Sequence, residues 1–203
     1  MELTEALARR RMVRRYDPDA RVSAEALDAV LAAALRAPSA GFTQGVSLLV
    51  LETAEDREGF WAACTSTPDV SNRWLDGMRT APVLVLVLTS REAYLDRYAE
   101  PDKGWNDRDE GRWSAPYWFV DAGMAGMAML LRVVDLGLGA CFFGVPVDRV
   151  DAVQAAFRVP AEQLVVGVVS LGHPATGGDR GSRGSPARRG RRPVEELVHR
   201  GAW

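Results

Sequence analysis

Five arginines, Arg9, Arg10, Arg11, Arg14 and Arg15, fall within seven residues near the start of the chain. Like charges at such spacing repel one another, so the arrangement calls for an anion among them. A guanidinium meets a phosphate through two parallel, charge-assisted hydrogen bonds, which makes phosphate the chemistry to expect. A second cluster, Arg188, Arg189, Arg191 and Arg192, lies near the other end. The two clusters would serve one phosphate if the chain ends meet in the fold, which spacing alone does not establish. The net charge is -2, so the basic character is local. That argues for a small phosphorylated ligand and against nucleic acid, whose binders carry a broad basic excess.

Other constellations carry less. Cys64 and Cys141 are too few and too far apart for a disulfide framework or a zinc site, and read as small buried side chains. His173 and His199 stand away from metal-ligand spacing and from any nucleophile, so no metal centre is expected. Three glycine patterns fail on inspection. Gly137-Leu138-Gly139 follows a helix where a dinucleotide fingerprint needs a strand; Val145 stands where a phosphate loop needs lysine; Gly167 to Gly172 is one residue off a nucleophile elbow. Tyr94, Tyr98, Trp105, Trp113, Tyr117 and Trp118 form an aromatic group that either packs on the domain or walls a pocket for a flat ligand.

Elements must hold these residues in place. A length of 203 residues and 47% hydrophobic composition fit one domain over the whole chain. Thr4 to Arg11 reads as a short helix capped by Thr4. Ala24 to Arg36 reads as a second, capped by Ser23, with Leu27, Val30, Leu31, Ala34 and Leu35 on one face and Pro38 as its stop. Val46–Leu51, Ala81–Leu88, Ala140–Val145 and Leu164–Leu171 read as strands, the second buried on both faces. Glu55–Ala63 and Asp148–Phe157 read as helices, and Pro68–Met78 has no clear pattern. Pro116–Leu136 reads as a long helix, apolar around most of its girth, for the core or for an oligomer interface. Residues 91–115 read as a lid-like surface excursion, and 176–203 as a loop followed by an arm. The N-terminus lacks signal-peptide order and no apolar run reaches ~20 residues, so no membrane span and a cytoplasmic location are expected. The whole is a mixed α/β architecture with a small sheet between helices.

Five stretches, in order, resemble the nitroreductase family of flavoproteins. They are Arg10-Arg11-Met12-Val13-Arg14-Arg15-Tyr16, Ala37-Pro38-Ser39-Ala40-Gly41-Phe42-Thr43-Gln44, Gly137 to Gly144, Leu171-Gly172-His173-Pro174, and Arg191-Arg192-Pro193 through His199. The resemblance implies an α+β nitroreductase-like fold with a small mixed or antiparallel sheet, and an intertwined homodimer holding FMN at its interface. It implies hydride transfer from NAD(P)H as co-substrate, through flavin N5, to a nitroaromatic, quinone or related conjugated acceptor in a ping-pong cycle. The alternatives are a flavin-dependent tailoring dehydrogenase or a non-catalytic flavin protein.

The resemblance assigns roles residue by residue. Arg10 and Arg11, with Met12 between them and Arg14, match positions on the FMN phosphate and ribityl chain. Arg14 also matches a basic position beside the flavin N1–C2=O edge. Pro38, Ser39 and Ala40, with Phe42 and Gln44, match the turn that reaches the flavin from the partner. Phe142, Phe143 and Gly144 match the strand end along the ring, with the Gly144 N–H near N5, and Arg14 and Gly144 are the expected catalytic pair. Arg189 and Arg191 match basic residues at the phosphate. The pattern departs at Met12, which replaces a serine, at Phe42, which replaces an asparagine, and at Gly45-Val46, which replaces Pro-Trp.

Overall fold

A computed structural model describes residues 1–65, 71–177 and 190–203. Four strands, β1 (Val46–Leu51), β2 (Val83–Thr89), β3 (Gly139–Phe143) and β4 (Leu164–Gly172), form one antiparallel sheet in the order β1-β2-β4-β3. The sheet lies between two layers of helices, which the alternation of side chains along each strand makes possible. Val83, Val85, Val87, Val169 and Leu171 face α2 (Ala24–Ala34) and α6 (Tyr117–Asp135). Leu84, Leu86, Leu88 and Val168 face α3 (Ala54–Cys64), α4 (Arg73–Met78) and α7 (Val150–Ala156). Every residue of β2 is therefore buried, as an unbroken β-branched and leucine run requires of a strand covered on both faces.

Local signals explain most boundaries. The Ser23 side chain accepts from the Ala26 N–H and starts α2; Thr53 and Asp56 form a reciprocal capping box that starts α3. The first helix, α1 (Leu3–Arg9), starts one residue before Thr4, so Glu2 occupies the cap position and its side chain makes no capping bond. The helix also stops before the next arginines, which leaves Arg10 to Arg15 in non-helical backbone. The polar stretch after β2 begins as a helix, α5 (Arg91–Ala99), capped by Ser90. Its tyrosines, Tyr94 and Tyr98, sit four apart and face inward. The 19 residues of α6 have the length and mean hydropathy, 1.3, of a membrane-crossing helix. Here that apolar face lies on the sheet and against α2, with Ala122, Ala125, Met129 and Val133 fully enclosed. A second stripe of α6, Phe119, Val120, Met124 and Met127, remains exposed.

Candidate functional site

Arg10 to Tyr16 run beside the edge strand β3. Met12 makes a parallel bridge to Ala140, and the Val13 N–H donates to the Ala140 carbonyl at 2.8 Å. The other side of the segment abuts α4. A methyl group at Gly77 would collide with the Arg14 carbonyl oxygen, so glycine is required by close backbone approach. The segment is tied down at its end: Thr80 accepts from the Tyr16 N–H at 2.8 Å, and the Tyr16 hydroxyl donates to the Val13 carbonyl at 2.6 Å. Backbone and one buried tyrosine thus fix the segment, and its arginines take no part in holding it.

The arginines divide by their partners. Arg9 pairs with Glu5 in the exposed first helix. Among the described residues, Arg10, Arg11, Arg14 and Arg15 have no carboxylate partner, and Arg14 reaches only the Met12 carbonyl, at 3.5 Å. Arg11 lines a cleft of about 330 Å³ with Arg9, Val13, Val134, Gly137, Leu138, Gly139 and Pro174, whereas Arg10 lies outside it. The neighbours Arg10 and Arg11 are therefore not brought to one cleft. Extended backbone sends successive side chains to opposite faces, so Met12 and Arg14 share the face away from Arg11 and Val13.

The end of β3 separates the three residues expected there. The Phe142 ring wedges between Gly126 of α6 and Gly167 of β4, where a methyl group at Gly167 would lie 2.7 Å from it. The Phe143 ring points to the opposite face. It stacks on Trp61 with centroids 5.7 Å apart and planes 8° from parallel, and meets Trp74 edge-on at 5.7 Å. Gly144 is exposed, with open space where a side chain would stand. A cavity of about 220 Å³ opens between Trp61, Cys64, Asn72, Trp74, Phe143 and Gly144. The Asn72 side chain is occupied in capping α4, accepting from the Trp74 and Leu75 N–H groups. Burial pushes the Cys64 thiol up to about 12, so it is no nucleophile at neutral pH.

The Pro38 to Gln44 turn has a strained backbone. Gly41 (φ 61), Phe42 (φ 56) and Gln44 (φ 55) are all left-handed, at a cost of roughly 1–2 kcal/mol for each of the two that are not glycine. Such strain persists only where the surroundings enforce it, and it gathers at functional sites. Ser39 accepts from the Gln44 N–H at 2.9 Å, and Thr43 donates to the Ala40 carbonyl at 2.6 Å. Pro38 and Gln44 are exposed, and Phe42 stands 75% exposed. Behind the turn, Asp121 of α6 accepts from both the Ala40 N–H and the Tyr94 hydroxyl, each at 2.7 Å. No sequence motif pointed to Asp121; an acid within the apolar body of a helix is the signal that was available.

The aromatic group is assembled mostly by itself. Tyr98, Trp105 and Trp113 meet with centroids about 5 Å apart, and Trp113 and Trp118 continue the cluster to Tyr94. Surface ion pairs of Arg97 with Asp102, Arg108 with Glu92 and Asp96, and Arg112 with Asp107 tie residues 91–115 together.

Arg188 and Arg189 lie outside the described residues. Arg191 is described and exposed, as is every residue from 190 to 203. Among the described residues, the tail's hydrogen bonds stay within it, as in Arg192 to Glu196, and Trp203 stacks on His199 at 4.1 Å. Among the described residues, Arg191 and Arg192 make no contact with the first arginine cluster.

Comparison with known proteins agrees with this architecture. The curated relative from Methanothermobacter thermautotrophicus, provisionally named NADH dehydrogenase/NAD(P)H nitroreductase, is 29% identical over 177 residues, 86% of this chain and 78% of its own. A provisionally named nitroreductase from Desulfovibrio desulfuricans, solved in complex with FMN, superposes with a TM-score of 0.72 at 28% identity, covering 100% of this chain and 98% of that one. The fold is also that of NfrA2 from Bacillus megaterium, with a TM-score of 0.74 at 20% identity over 100% of this chain and 76% of that one. Residues 7–173 match the Nitroreductase family, and the chain belongs to that family.

Proposed function

We propose that this chain is an FMN-dependent oxidoreductase that passes a hydride from NAD(P)H to a nitroaromatic, quinone or related conjugated acceptor, acting as a homodimer. The observation that carries the reading is the row Arg10, Arg11, Arg14 and Arg15, which has no carboxylate partner among the described residues and whose backbone is held by β3, Thr80 and the buried Tyr16. Fixed positive charge without a carboxylate partner is a donor set built for an anion, and FMN presents a phosphate. The complex of the Desulfovibrio desulfuricans relative with FMN supports the same ligand. The residues fit the group in two further respects. Gly144 leaves open space at the end of β3 where a side chain would stand, and the Ser39–Gln44 turn is closed by its own hydrogen bonds and exposes Phe42 and Gln44.

In this reading Arg10 and Arg11, which leave the extended segment on opposite faces, would hold different parts of the phosphate and ribityl chain, with Arg189 and Arg191 of the tail, and Met12 would pack beside Arg10. When bound, FMN supplies the hydride chemistry, so the protein needs no nucleophile of its own. Arg14 would supply positive charge where negative charge gathers on the bound ring. The Gly144 N–H would donate to the bound ring, and Phe143, braced by Trp61 and Trp74, fixes that end of the strand. Pro38, Ser39, Ala40, Phe42 and Gln44 form the wall that a second copy contributes.

A second copy is supported by two apolar surfaces that one chain leaves bare. They are the α6 stripe of Phe119, Val120, Met124 and Met127, and the tail residues Val194, Leu197, Val198 and Trp203. Such contiguous exposed apolar area marks an interface. The activity test is anaerobic oxidation of NADH or NADPH by the FMN-loaded protein with menadione or nitrofurazone. Acceptor-dependent oxidation is expected; flavin that neither nicotinamide reduces would contradict the reading and favour a dehydrogenase reduced by its own substrate.

A further inference from the structure

The left-handed turn is not held by its own sequence. Its internal bonds, Ser39 to Gln44 and Thr43 to Ala40, close the loop but do not orient it against the domain. Orientation comes from three elements distant in sequence. From α6, the 2% exposed Asp121 carboxylate accepts from the Ala40 N–H at 2.7 Å. From α5, Tyr94 donates to the same carboxylate oxygen at 2.7 Å, and Arg97 donates to the Gly41 carbonyl at 2.8 Å. From the end of β2, the Ser90 N–H donates to the Gly45 carbonyl at 3.1 Å. The rings of Tyr94 and Tyr98 press so closely on Gly45 and Gly41 that a methyl group at either would lie 2.5 Å and 2.8 Å from them.

Within this clamp Asp121 has the position that matters most. A buried carboxylate is costly unless fixed donors satisfy it, and no cationic side chain pairs with it among the described residues. Its one bond to the turn falls on Ala40, directly before the left-handed residues. Burial and the bond to Asp121 also hold the Tyr94 hydroxyl protonated far above the usual phenol range, so it stays a donor at any working pH. Rupture of the Ala40 bond would leave the carboxylate with Tyr94 alone and free the strained residues to relax.

We propose that Asp121 is a positioning residue for the flavin site: through the Ala40 amide it holds the Ser39–Gln44 turn in the shape that a second copy's flavin requires. This rests on the flavin reading above. The residue touches no part of the ligand itself; it acts through the turn.

The test uses the full chain. Wild type, Asp121→Asn and Tyr94→Phe are compared by hydrogen exchange at the Ala40 amide and by titration of flavin-free protein with FMN. Val153→Ala, a core change in α7 remote from the turn, serves as a variant destabilised for unrelated reasons. Asp121→Asn should exchange at Ala40 about tenfold faster and bind FMN about tenfold more weakly, with Tyr94→Phe moving both in the same direction by less. Val153→Ala should lower the Tm and leave FMN affinity unchanged. FMN affinity of Asp121→Asn within about twofold of wild type, or an equal loss in Val153→Ala, would overturn the proposal. If Asp121→Asn does not fold, Tyr94→Phe decides: unchanged exchange and affinity overturn it. Wild type that binds no FMN is a separate result, which removes the flavin reading and this inference with it.

Discussion

The arginine segment at residues 10–16 and the turn at residues 38–45 solve opposite problems. The first presents side chains and is held by backbone: a bridge to Ala140, a carbonyl wedged at Gly77, a hydrogen bond from Tyr16 to Thr80. The second presents backbone and one bare ring, and is held by side chains of α5 and α6, above all Asp121 and Tyr94. A group that must meet a phosphate needs its guanidiniums free, so their support comes from elsewhere in the chain. A wall that must keep an unfavourable shape needs anchors stronger than its own propensity.

The comparison breaks most readily at the arginines. Arg10→Ala with Arg11→Ala should lose FMN by on the order of 100-fold or more while the chain stays folded, since neither side chain supports the fold. Fluorescence titration checks this, and retained stoichiometric flavin would remove the phosphate role. The single variants sharpen it, because Arg11 lines the cleft with Arg9 and Gly139 and Arg10 does not. Unequal losses are expected.

Next in size is the close approach of backbones. Gly77→Ala should destabilise by about 2–3 kcal/mol, because the Arg14 carbonyl cannot withdraw without pulling the segment off β3. Gly45→Ala should cost less, since the obstacle is a side-chain ring, Tyr94, and not the backbone of a paired segment. Thermal unfolding of the two variants reads the difference; equal losses would show that the segment is no more rigidly held than the turn. Arg14→Ala should keep flavin and slow its reduction by about tenfold, measured by stopped-flow. The smallest effect concerns the α3 side of the site. The folded chain keeps the Cys64 proton up to about 12, above the thiol's ordinary range. Between about 9 and about 12 the unfolded chain has therefore lost a proton that the folded chain holds, and stability falls as pH rises through that window. Cys64→Ala should flatten that slope in denaturant titrations.

How legible each region was follows from the same difference. The arginine segment stood out because its chemistry is local, five like charges in seven residues. Its exit from the helix at Arg9 was not legible, since arginine is a good helix former and the bridge to Ala140 overrides that preference. β2 was clear because burial on both faces demands an unbroken apolar run, and β1 spans Val46–Leu51 as its pattern indicated. The helix α5 was hidden by a polar surface, its inward face consisting of tyrosines and Leu95. The strain in the turn was hidden as well, because Phe42 and Gln44 do not advertise left-handed backbone as glycine does. Asp121 lies 81 residues from the amide it holds, and no local pattern links the two.

In the proposed function the guanidiniums presented beside β3, which have no carboxylate partner among the described residues, hold a flavin mononucleotide. Titration of flavin-free protein with FMN, followed by gel filtration and a visible spectrum, tests this most directly. The account predicts a yellow protein that retains one FMN per chain and loses it when Arg10 and Arg11 are replaced. A colourless wild-type protein after the same treatment would contradict it.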